Sequence, residues 1–412
     1  MRKIIFSKLP NRLKRAMIII ALFSIYSFCY GNNEPQILNK INKNCIWVDY
    51  SSITDSSRSD SLIAFISKNN INTVFLETYN NGAIVNEEFI NKIKKTDIND
   101  TLNQNNSIFN PLKYFLDKST LLESFKVYAW MDIYKLWTKN YYPEDSTHFY
   151  YQCPECLEND INGKSDRLIK LDKIQSLEWE GVFLSPMHPE VNTYIINRIL
   201  YILDTYDFDG VILDQMKYQA YYYGYNSIGM EIFHDKHNID PLDINRGLIS
   251  EYYGYKKSEA DSIKSLWNNF RINGITNLIE EINQAVDTEI IVKVEKSPEE
   301  SKNRWYQDWN NWLLNNLVDF LVIKNHTLDF KEFNYYNKLI DRTYNRSKNF
   351  NKIIIDVNAL NGTTSYYTAN KILSLRLHKF NNISIYGYDE YKHSINWYSP
   401  IYNTVNFNIN NE

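Results

Sequence analysis

Eight apolar runs in this 412-residue chain end in polar residues, and six of those eight are carboxylic acids. They are Asp49, Glu77, Asp132, Asp214, Glu295 and Asp356; Asn325 and Tyr388 close the other two runs. No comparable set of Lys or Arg accompanies them in this reading. Acids gathered among aromatics suit two tasks. One is a hard-cation site built from oxygen ligands. The other is glycoside hydrolysis, which needs two carboxyl groups flanking the scissile bond. The metal reading lacks a His cluster: His234 and His237 are close, but His188 and His326 lie far off. No metal and no cofactor are therefore expected, although a site of carboxylates alone stays open. Glycan chemistry also wants aromatic faces, and the chain carries 33 Tyr and 9 Trp. Trp130, Trp137, Tyr221, Tyr222, Tyr223, Tyr225 and Trp305 fall near the acids in sequence. Each acid has a plainer role open to it, capping the next helix or pairing with a Lys. Asp214 stands out because it ends the most regular run and opens a long polar and aromatic segment. Asp209, by contrast, precedes that run and is expected to shape the turn at the opposite end.

The elements that must position these acids follow from periodicity. The runs are 46–50, 73–77, 127–132, 210–214, 289–295, 319–325, 352–358 and 382–388. They are short, nearly continuous in apolar residues and rich in β-branched side chains, as parallel strands buried on both faces require. Amphipathic stretches lie between them at 59–70, 111–124, 189–206, 262–285, 303–316, 329–345 and 365–380. Eight strands alternating with helices predict a single (β/α)8 barrel, an α/β fold, over residues 32–412. Long connections, 133–188 and 215–261, leave the ends of strands three and four, the face where barrel enzymes build their sites. Residues 393–412 lack helical spacing, so the last helix is expected to be short or missing, with the tail lying across the barrel.

Residues 1–31 read as an export signal. Six basic residues and no acid precede the short apolar run Ala16–Phe28, the pattern of a secretory signal peptide. The run falls short of the roughly 20 apolar residues a spanning helix needs. An uncleaved anchor or a lipidated Cys29 are the alternatives, and either would be the chain's sole tie to a membrane. Export to the periplasm, envelope or exterior follows. Without that segment the chain has 39 basic against 49 acidic residues, a balance unsuited to nucleic acid and better matched to a neutral or amino-sugar polymer. In an exported protein, Cys153-Pro-Glu-Cys156 reads as a local staple at the surface, a redox pair or half of a zinc site. No second CxxC or HxxxH supplies the missing ligands. Cys45 reads as a small buried apolar residue.

Phe183-Leu-Ser-Pro-Met-His-Pro-Glu-Val191, followed by Tyr206-Asp-Phe-Asp-Gly-Val-Ile-Leu-Asp214, resembles the glycosyl hydrolase-like family 10 proteins. Asn303-Arg-Trp-Tyr-Gln-Asp-Trp309 with Leu317-Val-Asp319 is similar to the family's "RFYQDW…W…VDF" stretch. Asn110-Pro-Leu and Val127-Tyr-Ala-Trp130 look like further family segments, Tyr223-Gly-Tyr-Asn226 adds a weaker match, and the resemblance runs from about residue 45 to residue 390. It implies a secreted or envelope glycoside hydrolase on a TIM barrel, acting on peptidoglycan strands or another polysaccharide. Asp214 and Asp308 match acids of the family motifs. The chain departs from the family pattern at Glu77, where an Arg is usual nearby, and at Lys217 in place of Arg. It departs again at Val294-Glu-Lys-Ser297 and at Lys324-Asn-His326. Lys for Arg removes a bidentate fork, so these changes imply altered specificity or a weakened site.

Two functions are carried forward. In the first, the protein is a glycosidase with Asp214 as nucleophile or base and Glu295 or Asp308 as a general acid of raised pKa. Glu77, Trp130, Asp132, Lys217, Tyr218, Tyr225, Asn325, His326 and Asp356 would then contact substrate. In the second, it is a carbohydrate-binding protein on a lapsed hydrolase scaffold. A metal-dependent hydrolase is a distant third.

Overall fold

Strands and helices alternate along the chain, and the strands close into a ring. The computed structural model describes residues 42–85, 109–168, 179–359, 364–393 and 396–406. Residues 1–31, read from the sequence as an export signal, and Cys29 among them lie outside the described residues. Eleven strands occur among them: β1 (Asn44–Val48), β2 (Thr73–Asn80), β3 (Ala83–Ile84), β4 (Lys126–Asp132), β5 (Lys135–Trp137), β6 (Val182–Phe183), β7 (Gly210–Asp214), β8 (Glu289–Glu295), β9 (Phe320–Lys324), β10 (Ile353–Asn358) and β11 (Asn382–Tyr386). Eight of them are the runs read from sequence. They pair in parallel in the order β1-β2-β4-β7-β8-β9-β10-β11, and β11 pairs back onto β1. The fold is the expected (β/α)8 barrel. Among the described residues no helix is long and apolar enough to cross a membrane.

Alternation along each strand divides its side chains between two cores. Inward positions form a compact interior of Cys45, Trp47, Phe75, Tyr128, Trp130, Ile212, Ile291, Val322 and Ile354. Outward positions meet the surrounding helices in the larger core. Cys45 is buried in that interior, where burial pushes its thiol up to about 12, so it is an apolar filler as expected. At the N-terminal ends, residues that precede strands clasp the neighbouring strand. Asp209 accepts from the Val127 amide at 2.8 Å while its own amide donates to the Val127 carbonyl. Asp319 does the same to Ile290, and Asn72 to Asn44. Asp209 therefore shapes the turn, as read from the sequence.

Three expectations differ in detail. The helix anticipated over 303–316 is two short ones, Pro298–Arg304 and Trp309–Leu314. Tyr306 between them has φ 58°, and the break lets the Gln307 amide bind the Glu295 N–H and the Met216 carbonyl. The described part of the tail, residues 396–406, does not lie across the barrel. Ser399–Val405 is a short helix whose Val405 carbonyl accepts from Arg376 on the helix Ser365–Leu377. Trp397 and Tyr398 pack on Phe65 of the helix Ser56–Lys68. The tail thus fills the last helical position on the outside of the ring. The cysteine pair, finally, is buried and not a surface staple.

The two long connections are sewn into one cap. Ile161 N–H donates to the Tyr222 carbonyl and Tyr225 N–H to the Asn159 carbonyl. The Asn226 amide donates to the carbonyls of Glu155 and Leu157. Short helices Ser227–His237, Pro241–Arg246 and Ile249–Tyr253 fill the second connection.

Candidate active site at the barrel mouth

Inward parity carries the strand-end acids to one place. Asp49, Glu77, Asp132, Asp214, Glu295 and Asp356 fall in step with the interior residues of their own strands. Asp132 and Asp214 are direct register partners on β4 and β7. Asn325 falls on the opposite parity. It is fully buried, and its amide donates to the Phe333 carbonyl and to Asn337 Oδ1, turned toward the outer helix. Tyr388 is likewise buried against Phe65 and not in the mouth. Asp308 heads the helix Trp309–Leu314 and pairs with Lys302 at 2.7 Å. Among the described residues no hydrogen bond or ion pair joins it to Asp214 or Glu295.

The acids are not without cations, which corrects the reading that no Lys set accompanies them. Lys293 Nζ lies 2.9 Å from Asp214 Oδ2 and sits over the rings of Trp47 and Tyr386 at 4.1 and 5.1 Å. Lys135 meets Asp132 Oδ2 at 2.7 Å. Lys217 lies 3.3 Å from Glu295 and 2.8 Å from Glu180, and Lys324 is 3.7 Å from Glu295. His326 Nε2 meets Asp356 Oδ2 at 2.7 Å, and Trp47 Nε1 donates to Asp356 Oδ1 at 2.8 Å. Glu77 accepts from the Tyr50 amide and from Asn80. Lys293 was legible in principle: it lies two residues before Glu295 in the run Glu289–Glu295, hence on the same inward face.

This pairing splits the protonation of neighbouring acids. Burial alone would raise Asp214, but Lys293, aided by Lys135 and Lys324, outweighs it and holds the carboxyl below its ordinary value. For Asp132 burial wins, and with the charge of Asp214 it pushes the carboxyl up to about 6 despite Lys135. One partner is thus kept ionised while the other holds its proton up to about pH 6. Glu295 does not show the upward shift expected of a general acid. Lys217 and Lys324 overcome its burial and hold it low. Asp356 is also held low, chiefly by His326 and Lys293 against burial. Burial keeps the His326 ring below its usual value, so the imidazole is neutral at pH 7. Across the mouth, burial and the charges of Asp389 and Glu77 push Asp49 up to about 7.

Several buried polar atoms on β2, β4 and just after β7 have no hydrogen-bond partner: Asp132 Oδ1, Trp130 Nε1, Gln215 Oε1 and Asn80 Oδ1. Unpaired buried groups are costly, and together they offer a donor and three acceptors suited to sugar hydroxyls. Gln215 takes φ 57°, which turns the chain just after Asp214 and lets its amide donate to Asp214 Oδ1 at 2.7 Å. Trp305 lies beneath the Lys217 ammonium at 5.7 Å. Beyond Trp305 is a cleft of about 470 Å3 lined by Tyr221, Tyr222, Tyr225, Trp267, Arg271 and Tyr306 among others. Tyr218 is buried behind it, with its ring 5.2 Å from that of Tyr306. Among the described residues, the side chains close enough to share a metal ion lie outside the mouth, at Cys153, Cys156, His188, Glu155 and Glu190.

Nothing among curated proteins matches the sequence. Among solved structures, the glycoside hydrolase domain of PgaB (BpsB) from Bordetella bronchiseptica superposes with a TM-score of 0.59 at 13% identity, covering 89% of this chain and 99% of that one. The α-galactosidase AgaA of Geobacillus stearothermophilus gives a TM-score of 0.45 at 9% identity, over 89% of this chain and 41% of that one. The first of these likenesses bears on the fold. The family profile described as glycosyl hydrolase-like 10 matches residues 41–368. By that match, spanning most of the barrel, the chain belongs to the glycosyl hydrolase-like 10 family.

Proposed function

We propose that this protein is an exported glycosidase acting on a cell-wall glycan or a related polysaccharide, with Asp214 and Asp132 as the working carboxyls. The observation that carries the reading is their placement as register partners with opposite protonation preferences. Asp132 gives its proton to the glycosidic oxygen as the bond to the anomeric carbon breaks. Asp214 either captures that carbon or takes a proton from the water that does. Neighbouring strands lie about 4.8 Å apart, which suits the roughly 5–5.5 Å carboxyl spacing of retaining enzymes better than the wider inverting gap. The nucleophile role is therefore the better fit for Asp214. Glu295 and Lys217 hold sugar hydroxyls from the β8 side, and Glu77, Trp130 and the Asp356–His326 pair line the rest of the mouth. Trp305, Tyr225 and their neighbours offer ring faces to the remainder of the chain. Residues 1–31 serve as the export signal, which mass spectrometry of the mature N-terminus tests.

The second reading is a binding protein on the same barrel. It is favoured by one observation: Asp132, Asp214, Glu295 and Asp356 each already carry a cationic or imidazole partner. Peptidoglycan and a panel of neutral and amino-sugar polymers separate the two. The glycosidase releases reducing ends, and Asp214→Asn stops this while calorimetric binding persists. Binding by the wild-type chain with no product from any polymer would establish the second reading instead.

A further inference from the structure

Cys153-Pro-Glu-Cys156 plays no part in the glycan site. The two sulfurs are bonded and their Cα atoms lie 5.3 Å apart, in a segment buried beneath the cap. The sequence supplies no neighbouring ligand motif, but the fold does. Ser185 N–H donates to the Cys156 carbonyl at 2.8 Å, which draws the start of the helix Pro189–Thr205 onto the cysteines. His188 Nδ1 then stands 3.5 Å from Cys156 Sγ, and Glu190 Oε2 stands 3.6 Å from Cys153 Sγ. The two sulfurs and Nδ1 all lie within 4.8 Å of one another, and Cys153, Glu155 and Glu190 form a second such group.

The tautomer also fits. His188 Nδ1 accepts from the Glu190 amide at 3.3 Å, so the ring proton is on Nε2, and an ion bound at Nδ1 takes over the lone pair that now caps the helix. A neutral imidazole with its proton on Nε2 is the form that ligates metal through Nδ1. Two thiolates, one imidazole and one carboxylate are the donors a tetrahedral zinc site uses. Glu155 and Glu190 are exposed, which gives an ion a way in from solvent.

We propose that, with its two cysteines reduced, this chain holds a zinc ion between Cys153, Cys156, His188 and Glu190. A dithiol donor passes two electrons and two protons to the Cys153–Cys156 bond and leaves as its own disulfide. The zinc ion then displaces both thiol protons and forms two Zn–S bonds. The two states tie different parts of the chain. The disulfide joins residues three apart, whereas the ion joins the cysteine turn to a helix start 32 residues further on. The site is independent of the glycosidase reading.

The test uses the full chain purified in a phosphine reductant, with thiols counted in denaturant and fold checked by circular dichroism. It is titrated with Co2+ as a spectroscopic stand-in and then with Zn2+. The reduced chain is expected to take one equivalent of Co2+ with a thiolate-to-cobalt charge-transfer band that Zn2+ abolishes. The oxidised chain shows no band. Cys156→Ser removes it, and His188→Gln weakens binding at least about tenfold, as loss of one of four ligands should. A reduced, folded wild-type chain with no band overturns the proposal, without reference to any variant. So does a folded His188→Gln chain with unchanged affinity and spectrum.

Discussion

Asp132 and Asp214 face each other in the register of β4 and β7, yet a different lysine holds each: Lys135 for the first and Lys293 for the second. The arrangement separates their protonation without separating them in space. It makes the mouth a place where one carboxyl is an acid and its neighbour a base over the same pH range.

Asp214→Asn should lower turnover by roughly 10^2- to 10^4-fold, the range expected for loss of a working acid or base. It also strands the buried Lys293 ammonium, so stability should fall by about 3–5 kcal/mol. Urea unfolding measures that second effect separately. Asp132→Asn should lower turnover with a smaller cost in stability, because Lys135 remains closer to solvent.

The rate should depend on pH as a bell. Above about pH 6, the value for Asp132, the acid loses its proton and the rate falls. On the low side the rate holds until Asp214 is protonated, which Lys293 delays to below the ordinary carboxyl range. Lys293→Met removes that delay, so the acidic limb should move upward by a unit or more while the basic limb moves little. A profile in which both limbs stay put would remove Lys293 from the mechanism.

Stability should also respond to pH, with opposite signs in two windows. Asp214, Glu295 and Asp356 are held low in the folded chain. Their contribution is present above about pH 4 and is lost as pH falls through their folded values. Asp49 and Asp132 are held high, at about 7 and about 6. Between pH 4 and 7 they keep protons that the unfolded chain releases, so stability declines as pH rises through that window. Thermal unfolding should therefore peak near pH 4–5. Asp49→Asn should raise Tm at pH 8 and leave it unchanged at pH 4.

Gly210 opens β7 against the start of β8. A Cβ there would collide with the Glu289 carbonyl oxygen, a backbone atom that cannot yield without parting the strands. Gly210→Ala should cost roughly 1–3 kcal/mol or more, read by denaturant unfolding, and should lower activity at the far end of the same strand.

Trp305→Ala should weaken binding of long oligosaccharides while sparing short ones. Loss of one aromatic face is worth about 0.5–1.5 kcal/mol beyond its area, or roughly 2- to 12-fold in KM, with kcat on a short substrate unchanged. An equal loss on short and long substrates would place Trp305 within the mouth itself.

Much of this was legible in the residues. All eight barrel strands follow from short β-branched runs, and the mouth acids follow from their position at the ends of those runs. What failed was face assignment. Asn325 ends a run as Asp132 does, but its parity turns it outward to Phe333 and Asn337. Lys293 lies inside an apolar run and escapes a search restricted to run ends, although alternation places it beside Glu295. The break at Tyr306 escaped because its cause is distant: the Gln307 amide is fixed by Glu295 and Met216. The partners of Cys153 and Cys156 escaped for the same reason, as they come from the next helix start.

Arg376 binds the carbonyls of Phe380, Asn381 and Val405 and the Asn44 side chain at the junction of β1 and β11. That junction joins the two ends of the barrel sequence, through pairs such as Asn44 with Ile383. During synthesis β1 gains β2 within about thirty residues but waits for some 310 more before its other edge is covered. Closure of the ring is therefore the most non-local step, and non-local pairing is slow. Until β11 pairs with β1, and Arg376 and the final helix pin the junction, the chain presents an open parallel edge, the form in which unfinished sheets aggregate. The last few described residues, remote from any chemistry, decide how long that exposure lasts.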